Sequence, residues 1–151
     1  MKVFFDTNIV IEYLIRREHF DEAKRAVDQL VNDGHTLFMS AAGFYTILFI
    51  VDKYLNKEWH IDKETRVAFM RNMARGLLKE YRVVDHNKES LMQGIDDLRF
   101  SDLEDSCQLQ AAITAGCQYL LTFNVKDYPS SESQIAVLTP TQFLDNYIQK
   151  P

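Results

Sequence analysis

The chain has 151 residues, 46% of them hydrophobic and 26% charged, with five Gly, three Pro and a net charge of −5. That length suits one domain, residues 1–151, able to bury roughly 70% of the surface its unfolded chain would expose. The balance excludes a disordered or fibrous chain, and the acidity excludes a broad basic groove for nucleic acid, but not a nuclease whose acids are cancelled by cations.

Val3 to Phe5 is an unbroken apolar run, as expected of a strand buried on both faces. Ile9 to Ile15 reads as a short helix. His19 to Asn32 is an amphipathic one, with Phe20, Ala23, Ala26, Val27 and Leu30 on one face and Asp33-Gly34 as its stop. Thr36 to Met39 is a second strand, and Ser40 caps an apolar helix running to about Leu55. Asp62 caps the next helix, Lys63 to about Lys79, and Tyr81 to Val84 is a third strand. Asn87 or Lys88 opens a helix ending near Asp97. Asp102 to Ala115 is a helix closed by Gly116, with Ser101 and Glu104 at capping-box spacing. Tyr119 to Thr122 and Ala136 to Leu138 are the fourth and fifth strands, and Thr139-Pro140 starts a final helix.

Strands alternating with helices imply a three-layer α/β/α fold with a mostly parallel sheet of about five strands. Ligands bind such sheets just past the carboxyl ends of the strands. That rule selects Asp6 after strand one, Ser40 after strand two, Asp85 after strand three, and Asn124 and Asp127 after strand four. Asp6-Thr7-Asn8 is the strongest local signal, and Asp6 is read either as a helix cap or as a functional acid. In Ser101-Asp102-Leu103-Glu104-Asp105, Asp102 and Glu104 suit a helix start. Asp105 lies near the core-like face of Leu103, Leu109, Ala112 and Ile113, where an acid is costly unless paired or metal-bound. Thr122 to Tyr128 follows the fourth strand, and reads as either a polar turn or a third arm of the same rim. Oxygen ligands of this kind suit Mg²⁺ or Mn²⁺, which take few carboxylates and keep their waters. Such an ion would activate water and stabilise the leaving oxygen in phosphodiester cleavage.

Other features read as structural. His19, His35, His60 and His86 show no zinc spacing, and no GxSxG, P-loop or GxGxxG motif is present. The Phe44 to Phe49 cluster reads as core. Lys53, Lys57, Lys63, Arg66, Arg71, Arg75 and Lys79 read as solvated faces rather than an RNA path. Cys107 and Cys117 read as reduced, buried residues of a cytosolic protein. With no signal-peptide core before Asp6, and no apolar run longer than Phe44 to Val51, the chain is expected to be cytoplasmic and away from membranes.

The order of VFFDTNIVIEYL, MSAAGFYTILF, DLEDSCQLQAAITAGCQYLLTFNVKDY and VLTPTQFL resembles the PIN domain family, which includes the VapC-type toxins of bacterial toxin–antitoxin pairs. The resemblance spans nearly the whole chain. It implies metal-binding acids at the carboxyl edge of a parallel sheet. Asp6 matches the family's first acid, Asp105 the acid opening the late helix with Asp102 beside it, and Asn124 a position where many members carry Asp, with Asp127 close behind. Thr46, six residues beyond Ser40, stands where many active members have Glu.

Three functions follow. In the first, a metal-dependent ribonuclease, Asp6, Asp105 and Asp127 hold the cation, Asp102 assists, and Asn8, Ser40, Thr46, Thr122 and Asn124 support them. RNA is the substrate, and an antitoxin protein and a homodimer are possible partners. In the second, loss of acids at Thr46 and Asn124 leaves a weak or inactive PIN-fold module that acts by binding RNA or protein. In the third, a haloacid-dehalogenase-like phosphatase, a second acid is needed two residues after the first, where Asn8 stands.

Overall fold

The structure is a computed structural model that describes residues 1–148. The elements in chain order are β1 (Lys2–Phe5), α1 (Thr7–Ile15), α2 (Phe20–Asn32), β2 (Thr36–Ser40), α3 (Ala41–Lys57), α4 (Lys63–Glu80), β3 (Tyr81–Val84), α5 (Lys88–Ile95), α6 (Leu103–Thr114), β4 (Tyr119–Leu121), a 3-10 turn (Val125–Asp127), β5 (Ala136–Leu138) and α7 (Pro140–Ile148). The five strands form one sheet in the order β3-β2-β1-β4-β5. Every pairing is parallel, with Phe4 opposite Phe38 on one side and Leu120 on the other.

The alternation of a strand separates two cores. Val3 and Phe5 face Ile9, Leu30, Leu37, Met39, Ile47 and Phe143. Phe4 faces Phe38, Phe100, Leu109, Ala112 and Tyr128 on the opposite side. Phe4, Val3 and Leu120 are fully buried, so β1 and β4 run through the middle of the molecule. Each buried aromatic or aliphatic side chain there contributes about 1.5–3 kcal/mol. The chain builds outward from β1 to β2 and β3, then returns to lay β4 against the other edge of β1. The strand order therefore reverses at the β1–β4 seam, and a crevice opens past its carboxyl end.

Three caps fall where the sequence puts them. Ser40 accepts from the Gly43 N–H, Asp62 from the Thr65 N–H, and Thr139 from the Gln142 N–H. Four expectations are corrected. Asp102 caps α6, as its place at the helix start suggests, its Oδ1 accepting from the N–H groups of Glu104 and Asp105 at 2.8 and 3.3 Å; the Ser101–Glu104 capping box does not form, and the helix opens at Leu103. Leu103 itself is exposed rather than core. The Phe44 to Phe49 segment winds around a helix, so Ile47 is buried while Tyr45 and Phe49 are 69% and 67% exposed. Cys107 is only partly buried, while Cys117 is buried; both are free thiols. Among the described residues no helix is long and apolar enough to cross a membrane.

Helices α5 and α6 touch closely. A Cβ built on Gly94 would lie 3.2 Å from both the Cα and the N of Cys107, and the Ser106 hydroxyl donates to the Gly94 carbonyl at 2.8 Å. This contact fixes the α6 end that carries Asp102, Glu104 and Asp105.

Candidate active site

Asp6 ends β1 at the crevice and is 3% exposed. It occupies the N-cap position of α1, yet its carboxylate makes no cap hydrogen bond. Thr122 Oγ1 donates to Oδ2 at 2.6 Å, and Asn8 Nδ2 donates to the same oxygen at 2.9 Å. Gln108 Nε2, from α6, donates to Oδ1 at 3.1 Å. All three donors are neutral. Burial raises the Asp6 pKa, while the Thr122 and Gln108 hydrogen bonds pull it back, with weaker help from the Asn8 and Thr7 backbone. Asp6 is therefore held by hydrogen bonds, and among the described residues no cation pairs with it.

Thr122 is fully buried one residue past β4 and also accepts from the Asn124 N–H at 3.0 Å. Asn124 thus meets the crevice through its backbone, and its residue is exposed. Asp127 is exposed at the end of the 3-10 turn. Ser40 is buried and engaged in capping α3, and the Thr46 hydroxyl donates to the Ala42 carbonyl one turn back.

The first turn of α6 faces the same crevice. Asp105 is partly buried, and its pKa is pushed up to about 7, first by desolvation and then by the charges of Asp6, Asp102, Asp127 and Glu104. Glu104 is raised too, by desolvation and then by Asp6 and Asp102. Burial raises the pKa of Tyr128, and the charges of Asp6, Asp105, Asp102 and Glu104 raise it further; its buried hydroxyl has no partner among the described residues. Asn8 Oδ1 is a second buried oxygen lacking a partner. Among the described residues, no three His, Cys, Asp or Glu side chains gather tightly enough to form a metal cage, so Asp6, Asp105 and Asp127 do not make one.

The donor set fits Mg²⁺ or Mn²⁺ in a sparser mode. The acids facing the crevice offer oxygen ligands, and such ions take one or two carboxylates and retain waters. Mutually repelling acids, one with its pKa near neutrality, are what a bound cation would relieve. Of the carboxylate's roughly four lone-pair positions, the two on Asp6 Oδ2 are taken by Thr122 and Asn8, and Gln108 takes one on Oδ1. Oδ1, with one side-chain donor against two on Oδ2, is the less engaged of the two oxygens.

Two residues were not singled out from the sequence. Gln108 lies in the stretch Cys107-Gln108-Leu109, three residues beyond Asp105, and an amide on the inward face of a helix was the available signal. Gly43 was the other: a Cβ there would come within 2.6 Å of Thr7 Oγ1, so α3 abuts the first turn of α1.

Comparison with known proteins gives a consistent picture. The PIN domain family model matches residues 2–126. Ribonuclease VapC1 of Aquifex aeolicus is 26% identical over 147 residues, covering 97% of this chain and 95% of that protein. Among solved structures, a toxin–antitoxin complex from Klebsiella pneumoniae matches with TM-score 0.59 at 21% identity, over 91% of this chain and 97% of that chain. VapBC2 from Rickettsia felis, bound to a promoter DNA fragment, matches with TM-score 0.62 at 16% identity, over 91% and 97%. The sarcin–ricin loop cleaving toxin VapC20 of Mycobacterium tuberculosis matches with TM-score 0.54 at 16% identity, over 85% and 91%.

Proposed function

The chain belongs to the PIN domain family, and from that premise we propose that it is a divalent-metal-dependent ribonuclease, the toxin of a toxin–antitoxin pair. The observation that carries this reading is Asp6: a buried carboxylate at the topological switch point, surrounded by neutral donors and left out of helix capping. Asp6 and Asp105 would hold Mg²⁺ or Mn²⁺, with Asp127 and Asp102 adding negative charge at the rim. Bound there, the cation would supply Lewis acidity to a phosphodiester and lower the pKa of water. Thr122, Asn8 and Gln108 orient Asp6, and Asn124 braces Thr122 through its N–H. The VapC1 relative is named a ribonuclease, and two of the similar structures are toxin–antitoxin assemblies, which supports RNA as substrate and a small protein as partner.

The test is Asp6→Asn, which preserves size and the capacity to accept a hydrogen bond. It is expected to abolish Mn²⁺-dependent RNA cleavage while leaving the circular dichroism spectrum intact. Equal cleavage by the variant would reject the assignment.

One observation favours a second reading, a PIN-fold module without catalysis. Among the described residues no three-acid cage forms, and Thr46 and Asn124 supply no carboxylate. Calorimetric titration with Mn²⁺ separates the two, because an inactive pocket takes up no metal at millimolar concentration.

A further inference from the structure

We propose that Gln108 is a positioning residue that holds the first N–H of helix α1 with its carbonyl oxygen and the Asp6 carboxylate with its amide nitrogen, and so keeps that carboxylate from turning onto the helix to cap it. Asp6 has the residue type and backbone of a working cap. Its angles are φ −60°, ψ 145°, nearly those of Asp62 at φ −61°, ψ 158°. Asp62 accepts from the Thr65 N–H in its first turn, whereas the Asp6 carboxylate makes no cap hydrogen bond and feels the Asn8 and Thr7 N–H groups only weakly. Asp102, a third aspartate in the same position, also caps. Preference for capping is strong enough, about 0.5–2 kcal/mol, that the exception at Asp6 requires a competing arrangement.

Gln108 is that arrangement. Its Oε1 accepts from the Thr7 N–H at 3.3 Å and from Thr7 Oγ1 at 3.4 Å, giving the first turn of α1 an acceptor from another helix. Its Nε2 donates at 3.1 Å to Asp6 Oδ1 and draws that oxygen away from the turn. A neutral amide performs both operations with one planar group. Gln108 is 3% exposed, so water does not compete for either contact. Thr122 and Asn8 hold the second carboxylate oxygen from the far side.

The consequence is specific. Without the amide, Asp6 rotates into the vacant cap and leaves the crevice. Gln108→Met, similar in length but unable to hydrogen-bond in either sense, should weaken Mn²⁺ binding about 10–100-fold by calorimetry. Its melting temperature should shift by less than about 3 °C, because Asp6 takes over the cap. This part rests on the reading of Asp6 as a metal ligand. A second measurement does not: the stability cycle of Gln108→Met in the Asp6 and the Asp6→Ala backgrounds, without metal. Gln108→Met should cost more stability when residue 6 is Ala, since no carboxylate can then replace the cap. The opposite sign, a larger loss with Asp6 present, would mean that Gln108 only satisfies a buried acid and would overturn the proposal. Failure of Gln108→Met to fold would overturn it too. The expected coupling with no Mn²⁺ binding in either protein would keep the positioning role and reject the metal reading.

Discussion

Thr122 and Asp6 meet across the β1–β4 seam, the hydroxyl of one donating to the carboxylate of the other at 2.6 Å although 116 positions separate them in the chain. Their strands are registered so that Phe5 lies opposite Leu121, and each residue is the next one along. The sheet register alone brings them together.

Thr122→Val tests that contact with almost no change in shape. The variant leaves a buried acceptor short of one donor, at a cost of about 1–3 kcal/mol. Its melting temperature should fall. If Asp6 performs the proposed role, RNA cleavage should drop by at least about tenfold, as for other side chains that orient a metal ligand. Unchanged cleavage with lowered stability would make Thr122 purely structural.

Asp105 predicts a pH dependence. Its pKa in the folded protein, about 7, lies above the ordinary carboxylate value of 3.8. The folded state therefore holds a proton that the unfolded state has released, and this contribution to stability is full below pH 4 or so and lost as pH rises through about 7. The metal-free protein should melt at a lower temperature at pH 8 than at pH 6, and Asp105→Asn should flatten that difference. Mn²⁺ should run the other way, binding more tightly as pH rises and Asp105 ionises. Thermal scans at both pH values, with and without Mn²⁺, check each sign.

Much of this was legible in the chain because the strong signals are local. Val3-Phe4-Phe5 is buried on both faces, and the five strands fall where apolar runs end in polar residues. Asp6 stood out because an acid directly follows such a run. Gln108 did not, since its meaning depends on where α6 packs against α1, which no spacing within α6 reveals. Ser101 and Asp102 are adjacent candidates for one cap, and the direction in which the chain enters α6 decides between them. Tyr45 and Phe49 looked like core because aromatic residues usually are, but the buried stripe of α3 passes through Gly43, Ile47, Val51 and Leu55 instead. A helix that is apolar all round gives no indication of which face turns inward.

Two glycines in helices should respond to Ala with opposite signs. Gly76 in α4 has nothing within 4 Å of a built Cβ, so Gly76→Ala gains helix propensity and should stabilise by about 0.5–1 kcal/mol. Gly94 faces the backbone of Cys107 at 3.2 Å, where overpacking costs about 1–3 kcal/mol and outweighs the same gain. Urea denaturation of both variants measures the contrast. Stabilisation by Gly94→Ala would show that α5 and α6 separate easily.

Thr46→Glu asks whether a missing acid can be supplied. Gly43 of α3 abuts Thr7, and Thr46 lies one turn further along the same helix, partly buried. Its hydroxyl donates to the Ala42 carbonyl, a bond whose loss costs the helix little. A Glu there would extend toward a crevice in which Asp6 and Asp105 already repel one another. Without metal the added charge should lower stability at neutral pH and push Asp105 higher still. With Mn²⁺ the sign reverses, because affinity for hard cations grows with the number of charged ligands, and calorimetry should show several-fold tighter binding than the parent. Lower stability with unchanged Mn²⁺ affinity would place α3 outside the reach of the cation and leave the proposed site to Asp6 and Asp105 alone.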